Sequence, residues 1–167
     1  MSRGFVKEDD QEEVPMVPQR AHLPAGLPNF VTRNGMEQLL AEKEALIREK
    51  EAVGSSNENE KRIALNYINA KLQLLNNRIA DARVVDLTEQ PQNEIRFGAT
   101  VTLKTEVSGK TQIFQITGVD EANIARGKIS FISPLAKALI NKKAGDTIVL
   151  KRDREEIDFE IMDIAYR

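Results

Sequence analysis

Two carboxylates, Glu58 and Glu60, stand in a short polar segment that begins at Gly54 and separates two charge-rich stretches with periodic apolar residues. Carboxylate oxygens are the ligands that Mg²⁺ prefers, so acidic side chains at an exposed turn could contact a cation. Glu60 lies two residues beyond Glu58, so on a helix it points to another side. Ser55 followed three residues later by Glu58 is also a capping-box pattern. Glu58 and Glu60 are therefore candidates for reaching into a deep site of a partner, and a helix cap is the competing interpretation.

The composition excludes several other kinds of site. The chain has 167 residues and a formal net charge of -2, whereas a general nucleic-acid coat needs a basic excess. It has no cysteine and one histidine, His22, which excludes disulfides, zinc thiolate sites and multi-histidine metal sites. We therefore expect no metal in the free protein. No apolar run approaches the about 18 residues of a membrane span, so we expect a soluble, cytoplasmic protein with no membrane partner.

The pattern along the chain predicts three parts. Residues 1–31 form an irregular arm, because an acidic run at residues 8–13 is followed by four prolines, which disfavour regular helix and central strand. Residues 32–88 form a coiled-coil hairpin. Residues 93–167 form a sheet domain, separated from the hairpin by a linker that contains Pro91.

The predicted hairpin consists of two helices. The first is expected from Arg33 to about Val53, with Thr32 as its N-cap. The second has a seam with apolar residues three and four positions apart, which is a heptad pattern. The seam residues are Leu65, Ile68, Leu72, Leu75, Ile79 and Ala82. Because the connection is short and polar, the two helices are expected to pack antiparallel.

The apolar period changes to two after the linker, which predicts β-strands. Ser108 and Gly109 indicate a hairpin turn between two of them. Ser133 and Pro134 are expected to open a short helix, as its N-cap and first residue. The predicted fold class is therefore α+β, with an antiparallel sheet and one short helix packed on it.

Four stretches of the chain together form a specific family pattern. They are Ala82–Asp86, Phe97–Val101, Gly118–Ala122 and Ile132–Ile140. Through these residues, the chain resembles the bacterial GreA/GreB transcript-cleavage factors from Thr32 to Tyr166. The resemblance implies an N-terminal coiled-coil hairpin and an FKBP-like C-terminal domain.

The resemblance also implies a partner, bacterial RNA polymerase. In this family the globular domain docks at the rim of the polymerase secondary channel, and acidic residues at the hairpin tip help the polymerase to cut backtracked RNA. Nascent RNA and DNA are then met only through the polymerase complex. The factor itself is not an enzyme and has no cofactor of its own, although it can share Mg²⁺ in the polymerase active site.

The tip departs from the family pattern, which reads approximately Gly-Asp-x-x-Glu-Asn. Glu58 and Asn59 match the Glu-Asn pair, but Ser55 stands where the Asp is expected. Between Gly35 and Asp86 the hairpin also has about fifteen fewer residues than a typical GreA, which shortens each arm by roughly 11 Å. These are Rnk-like features. They favour a channel-binding regulator with weak or no cleavage stimulation, and the alternative is a genuine cleavage factor that uses Glu58 and Glu60.

Four residues of the C-terminal domain are candidates for binding the polymerase. Asp120 and Glu121 are expected to be exposed, with a polar turn as the alternative interpretation. Ser133 and Pro134 lie in the region by which the family grips the channel rim, with ordinary core packing as the alternative.

Two other classes of function remain as alternatives. An FKBP-type prolyl isomerase needs an open apolar cleft lined by aromatic residues. The sheet domain has few aromatic residues, and alternation predicts Phe114 and Phe159 in its core, which disfavours this class. A chaperone-like binder is compatible with the heptad seam but not suggested by the C-terminal pattern.

Overall fold

The computed structural model describes residues 15–54 and 56–167. The predicted acidic run at residues 8–13 and Ser55 of the predicted capping box lie outside this part of the chain. The α-helices are α1 (Arg33–Glu51), α2 (Glu58–Asp81) and α3 (Pro134–Leu139), and short 3-10 helices lie at Leu87–Glu89 and Ile124–Arg126. The strands are β1 (Asn29–Val31), β2 (Ala82–Val84), β3 (Thr100–Thr105), β4 (Thr111–Thr117), β5 (Lys128–Ser130), β6 (Thr147–Arg152) and β7 (Glu155–Ala165). The fold is mixed α+β, as the sequence predicts.

Helices α1 and α2 pack against each other through an apolar seam. The shared core contains Leu39 and Leu46 of α1 with Ile68 and Leu75 of α2, and Leu75 has no exposed surface. Leu39 and Leu75 lie toward the base, and Leu46 and Ile68 lie toward the tip, so the helices run antiparallel. Both buried residues of α2 are members of the predicted heptad seam. Thr32 caps α1 as predicted, because its Oγ1 accepts a hydrogen bond from the backbone N–H of Gly35 at 2.9 Å.

The start of α2 differs from the predicted capping box. Its N-cap is Asn57, whose Oδ1 accepts hydrogen bonds from the backbone N–H groups of Asn59 at 2.9 Å and Glu60 at 3.3 Å. Glu58 is thus the first helical residue and not the third, so the capping-box prediction is wrong. The physical reason is that Asn is as good an N-cap as Ser. Asn57 directly precedes the helix, and its side chain accepts hydrogen bonds from the free N–H groups of Asn59 and Glu60.

The main sheet in the described part of the chain has the strand order β5-β4-β3-β7-β6. Strand β3 pairs antiparallel with β4 and β7, and β6 pairs antiparallel with β7. Strand β5 runs parallel to β4, so the prediction of a wholly antiparallel sheet is wrong. The chain leaves β4 through residues 118–127 and returns through Gly127, whose φ is 70°. Because of this crossover, β5 runs in the same direction as β4. A tight hairpin turn would have made the two strands antiparallel. The predicted turn at Gly109 is confirmed, with a φ of 68°.

Helix α3 and the inner face of the sheet form the second core. Ser133 caps α3, because its Oγ accepts a hydrogen bond from the backbone N–H of Ala136 at 3.2 Å, and Pro134 is the first helical residue. Both features are as predicted. The fully buried members of this core include Ile95, Ala99, Val101, Leu103, Ile116, Ala136 and Leu139.

The end of the chain closes this core with a tyrosine. The Tyr166 hydroxyl donates a hydrogen bond to the Glu94 carbonyl at 2.6 Å and accepts one from the Arg96 N–H at 2.8 Å. Burial is the main cause that raises the pKa of Tyr166 above its ordinary value. The tyrosine therefore ties β7 to the segment that enters the sheet domain.

The predicted irregular arm ends in a strand. Asn29–Val31 forms β1, which pairs in parallel with β2 at the exit of α2. The difference arises because these residues find a partner strand more than fifty positions away, which local composition does not reveal. The Phe30 ring lies 5.8 Å from the rings of Phe97 and Phe131. Gly118 permits this approach, since a Cβ there would lie 2.5 Å from the Phe30 carbonyl oxygen.

Candidate functional sites

The hairpin tip places Glu58 and Glu60 in solvent at the first turn of α2. Glu58 lines a shallow groove along the outer side of α2, together with Lys61 and Arg62. Glu60 lines a different groove, between the two helices, together with Glu49. The two candidate carboxylates therefore face different grooves, as expected for positions two apart on a helix.

This geometry decides what the tip can do chemically. Within residues 15–54 and 56–167, no group of three or more Asp, Glu or His side chains is placed to hold a metal ion. Glu58 shares its groove with two cationic side chains, Lys61 and Arg62, which lower the negative potential around its carboxylate. Glu58 can offer one oxygen ligand to a Mg²⁺ that another protein holds, whereas Glu60 lines the groove between the two helices. This placement on different sides of α2 does not favour a shared Mg²⁺ site.

Asp120 and Glu121 lie at the junction between the hairpin and the sheet domain. The Glu121 side chain is 2% exposed and that of Asp120 is 10% exposed, so the prediction that both are exposed is wrong. The cause is the close approach of β1 to Gly118. It presses the turn after β4 against the base of the helices, and the two carboxylates become internal contacts.

Glu121 holds the start of α1 to the sheet domain. Its Oε1 accepts a hydrogen bond from the Thr32 hydroxyl at 2.6 Å, and its Oε2 accepts one from Asn34 Nδ2 at 2.9 Å and one from Lys128 Nζ at 3.1 Å. Thr32 is also the N-cap of α1, so the cap and the carboxylate form one continuous network. Gly35 leaves the room for this, because a Cβ there would lie 2.8 Å from Glu121 Oε1. A carboxylate at a helix N-terminus is also stabilised by the helix dipole.

Asp120 joins two arginines on the other side of the same turn. Arg20 Nε donates a hydrogen bond to Asp120 Oδ1 at 3.1 Å, and Arg78 NH1 lies 3.7 Å from Asp120 Oδ2. The terminal nitrogens of Arg20 also bind both oxygens of Glu42, at 2.8 Å and 3.0 Å. The hydrogen bond with Glu42 is the largest cause of a raised pKa for the Arg20 guanidinium, which burial partly opposes.

Ser133 and Pro134 lie at the start of α3. The Ser133 hydroxyl is used as the helix cap, and Pro134 is exposed. The structure therefore gathers the six sequence candidates into three places: the tip, the junction and the start of α3.

Sequence reasoning missed the partners of the junction carboxylates. These are Arg20, Thr32 (predicted only as a helix cap), Asn34, Arg78 and Lys128. Arg20 lies 100 positions from Asp120 and 22 from Glu42, and no local pattern marks such a contact. The signal that was available is Gly118, whose position just before the Asp-Glu pair is compatible with a close backbone approach.

The comparisons with known proteins agree with the sequence pattern. The family model "Transcription elongation factor, GreA/GreB, C-term" matches residues 90–166. A transcription elongation factor GreA of a Nitratiruptor species is 34% identical over 152 residues, which cover 82% of this chain and 93% of that protein. The GreA of Nitratidesulfovibrio vulgaris is 33% identical over 138 residues, which cover 78% and 86%. The chain belongs to the GreA/GreB family of transcription elongation factors.

Other relatives match over a shorter span. The GreA of Pelobacter propionicus is 41% identical over 100 residues, which cover 60% of this chain and 63% of that protein. Among solved structures, the GreA factor homolog 1 of Thermus thermophilus has a TM-score of 0.40 at 22% identity and covers 83% of this chain. A GreA/GreB factor of Nitrosomonas europaea has a TM-score of 0.42 at 18% identity and covers 84%. In the described residues, no helix is both long and apolar enough to cross a membrane.

Proposed function

We propose that this protein binds bacterial RNA polymerase and inserts its helical hairpin, as a coiled coil, into the secondary channel. There it regulates elongation with weak or no stimulation of transcript cleavage. Membership of the GreA/GreB family supports the partner and the process. The base of the hairpin supports the mode of action, because Glu121 and its partners Thr32 and Lys128 hold the hairpin to a folded domain that can anchor it.

The proposal of weak cleavage stimulation is supported by the placement of the two tip carboxylates on different sides of α2. Glu58 and Glu60 line different grooves. Two tip carboxylates assist a second Mg²⁺ together only if oxygens of both lie about 2.1 Å from the same ion. Lys61 and Arg62 beside Glu58 further disfavour the recruitment of a cation.

One observation favours the alternative, a genuine cleavage factor. Glu58 is exposed at the first position of α2, and its carboxylate therefore projects at the tip of the hairpin. In that case, Glu58 would complete a Mg²⁺ shell that is otherwise built by the polymerase, and the factor would remain an accessory and not an enzyme.

The third class, a prolyl isomerase of FKBP type, is disfavoured by the aromatic residues of the sheet domain. The rings of Phe97 and Phe131 pack on each other at 5.8 Å, and Phe30 from β1 packs on both. A substrate proline would have to displace Phe30. Phe159 is buried in the core.

The polymerase contact is proposed for the start of α3. Pro134 is exposed there, and Ser133 presents the helix N-terminus. Asp120 and Glu121 are engaged within the protein, so we expect their substitution to act on polymerase binding through the orientation of the hairpin.

The test is RNA cleavage in stalled, backtracked complexes of the cognate polymerase, with the purified wild-type protein and Glu58→Gln. We expect little Mg²⁺-dependent cleavage above the polymerase's own rate, and the same low level with Glu58→Gln, because no metal depends on that carboxylate. Glu106→Gln is the matched control, since Glu106 is also exposed but lies in the β3–β4 turn. Strong cleavage by the wild type that is lost in Glu58→Gln and kept in Glu106→Gln would replace our proposal by the alternative.

A further inference from the structure

The proline-rich arm before β1 follows a defined course over the junction. Leu27 N donates a hydrogen bond to the Pro24 carbonyl at 3.2 Å, which turns the chain at Gly26 toward β1. Upstream of this turn, Arg20 donates a hydrogen bond to Asp120, and the Ala21 carbonyl accepts one from Arg78. Proline has no backbone N–H donor, and the arm is attached here through the side chains of Arg20 and Arg78.

Arg20 connects three separate parts of the molecule. It belongs to the arm, its terminal nitrogens bind Glu42 on α1, and its Nε binds Asp120 in the sheet domain. A guanidinium is suited to this role, because its planar set of donors can serve two carboxylates at once, whereas an ammonium is a single point of charge. The Arg20 side chain is 18% exposed and that of Asp120 is 10% exposed, so solvent screens this contact less than an ordinary surface pair.

Arg78 of α2 fastens the arm from the other side. Its NH2 donates a hydrogen bond to the Ala21 carbonyl, and its NH1 lies at ion-pair distance from Asp120. Its own carbonyl accepts a hydrogen bond from Asn29 Nδ2 at 3.0 Å. The arm is therefore held to α2 at residues 21 and 29. The Asp120 carboxylate contacts two guanidinium groups, that of Arg20 from the arm and that of Arg78 from the hairpin.

We propose that this arm is a strap that fixes the orientation of the helical hairpin relative to the sheet domain through the Arg20–Glu42–Asp120–Arg78 cluster. Loss of the cluster frees the hairpin to change its angle at the junction. The strap sets where the tip points when the sheet domain is anchored. This role concerns the free protein, so it stands or falls independently of the proposed action on the polymerase.

The experiment measures the distance between the hairpin and the sheet domain in the full chain. The protein has no cysteine, so spin labels can be placed at Glu51→Cys near the tip and Val107→Cys in the β3–β4 turn, both exposed positions. Pulsed electron paramagnetic resonance then gives the distribution of label distances. In the labelled protein with no other change, we expect a single narrow distance between the labels. In the Arg20→Gln variant, we expect that distribution to broaden or a second distance to appear.

Matched variants separate the strap from a general loss of charge. Arg48→Gln is the control, because among the described residues Arg48 forms an ion pair with Glu44 on the same helix and its side chain is 77% exposed. It should keep the narrow distance. Asp120→Asn should reproduce the effect of Arg20→Gln from the other side of the contact, and circular dichroism establishes that each variant is folded. If Arg20→Gln and Asp120→Asn both keep the original narrow distance, the arm is not a strap.

Discussion

Replacement of Glu121 by Gln is the sharpest test of how the hairpin is held at its base. The substitution keeps the shape of the side chain but turns one carboxylate oxygen into an amide donor. If the new NH₂ group faces Asn34 and Lys128, two donors lose their acceptor at 2.9 Å and 3.1 Å. If it faces Thr32, the hydroxyl can no longer donate at 2.6 Å and has to accept from the amide instead. In both orientations the charged acceptor opposite Lys128 is gone, and in the first one Asn34 and Lys128 face another donor.

The magnitude follows from the burial of the site. A hydrogen bond to a charged group contributes about 1.5–3 kcal/mol, and breaking a fully buried ion pair costs about 3–5 kcal/mol. The Lys128 side chain is 23% exposed and can recover part of its hydration. We therefore expect Glu121→Gln to lower the free energy of unfolding by about 2–3 kcal/mol.

Urea unfolding followed by circular dichroism measures this change. The control is Glu106→Gln, an exposed carboxylate outside the junction, which should stay within about 0.5 kcal/mol of the wild type. If Glu121→Gln also stays within that range, Glu121 does not hold α1 to the sheet domain.

Two further predictions concern the attachment of β1 and the end of β7. Gly118→Ala should destabilise the protein by about 1–3 kcal/mol, because the new methyl group would lie too close to the Phe30 carbonyl oxygen. Gly54→Ala is the control, since a methyl group there has no atom within 4 Å. Equal urea unfolding midpoints for the two variants would contradict the prediction. Since the pKa of Tyr166 is raised in the folded state, the unfolded chain loses its phenolic proton first as the pH rises. The stability that depends on the neutral phenol is thus present below about pH 10 and declines above it. Above that pH, the free energy of unfolding should fall more steeply for the wild type than for the Tyr166→Phe variant. Parallel pH profiles of the two proteins would exclude this contribution.

The features that the sequence predicted correctly are those with a local cause. Thr32 and Ser133 cap their helices because a hydroxyl reaches N–H groups within the next turn, and this depends only on neighbours in the chain. The burial of Ile68 and Leu75 follows from spacing along one helix. Such features need no knowledge of distant residues.

The features that the sequence did not predict depend on distant pairings. Glu121 reads as part of a polar turn, yet its partner Thr32 lies 89 positions away. The direction of β5 depends on the path of the crossover, which residue types alone do not specify. The divergence of Glu58 and Glu60 was predicted, because it follows from helical geometry once both residues are placed on α2.

The hairpin is fixed at its base and at its tip by different contacts. The base is set by the β1–β2 pair, by Glu121 and by the Arg20 cluster, and the tip is set by the Asn57 cap. Between them, the apolar seam repeats every seven residues. The addition of seven residues to each helix would keep the seam in phase and move the tip outward by about 10 Å. The length of the hairpin is therefore a variable that can change in whole heptads during evolution or by engineering, while the base and the sheet domain stay as they are.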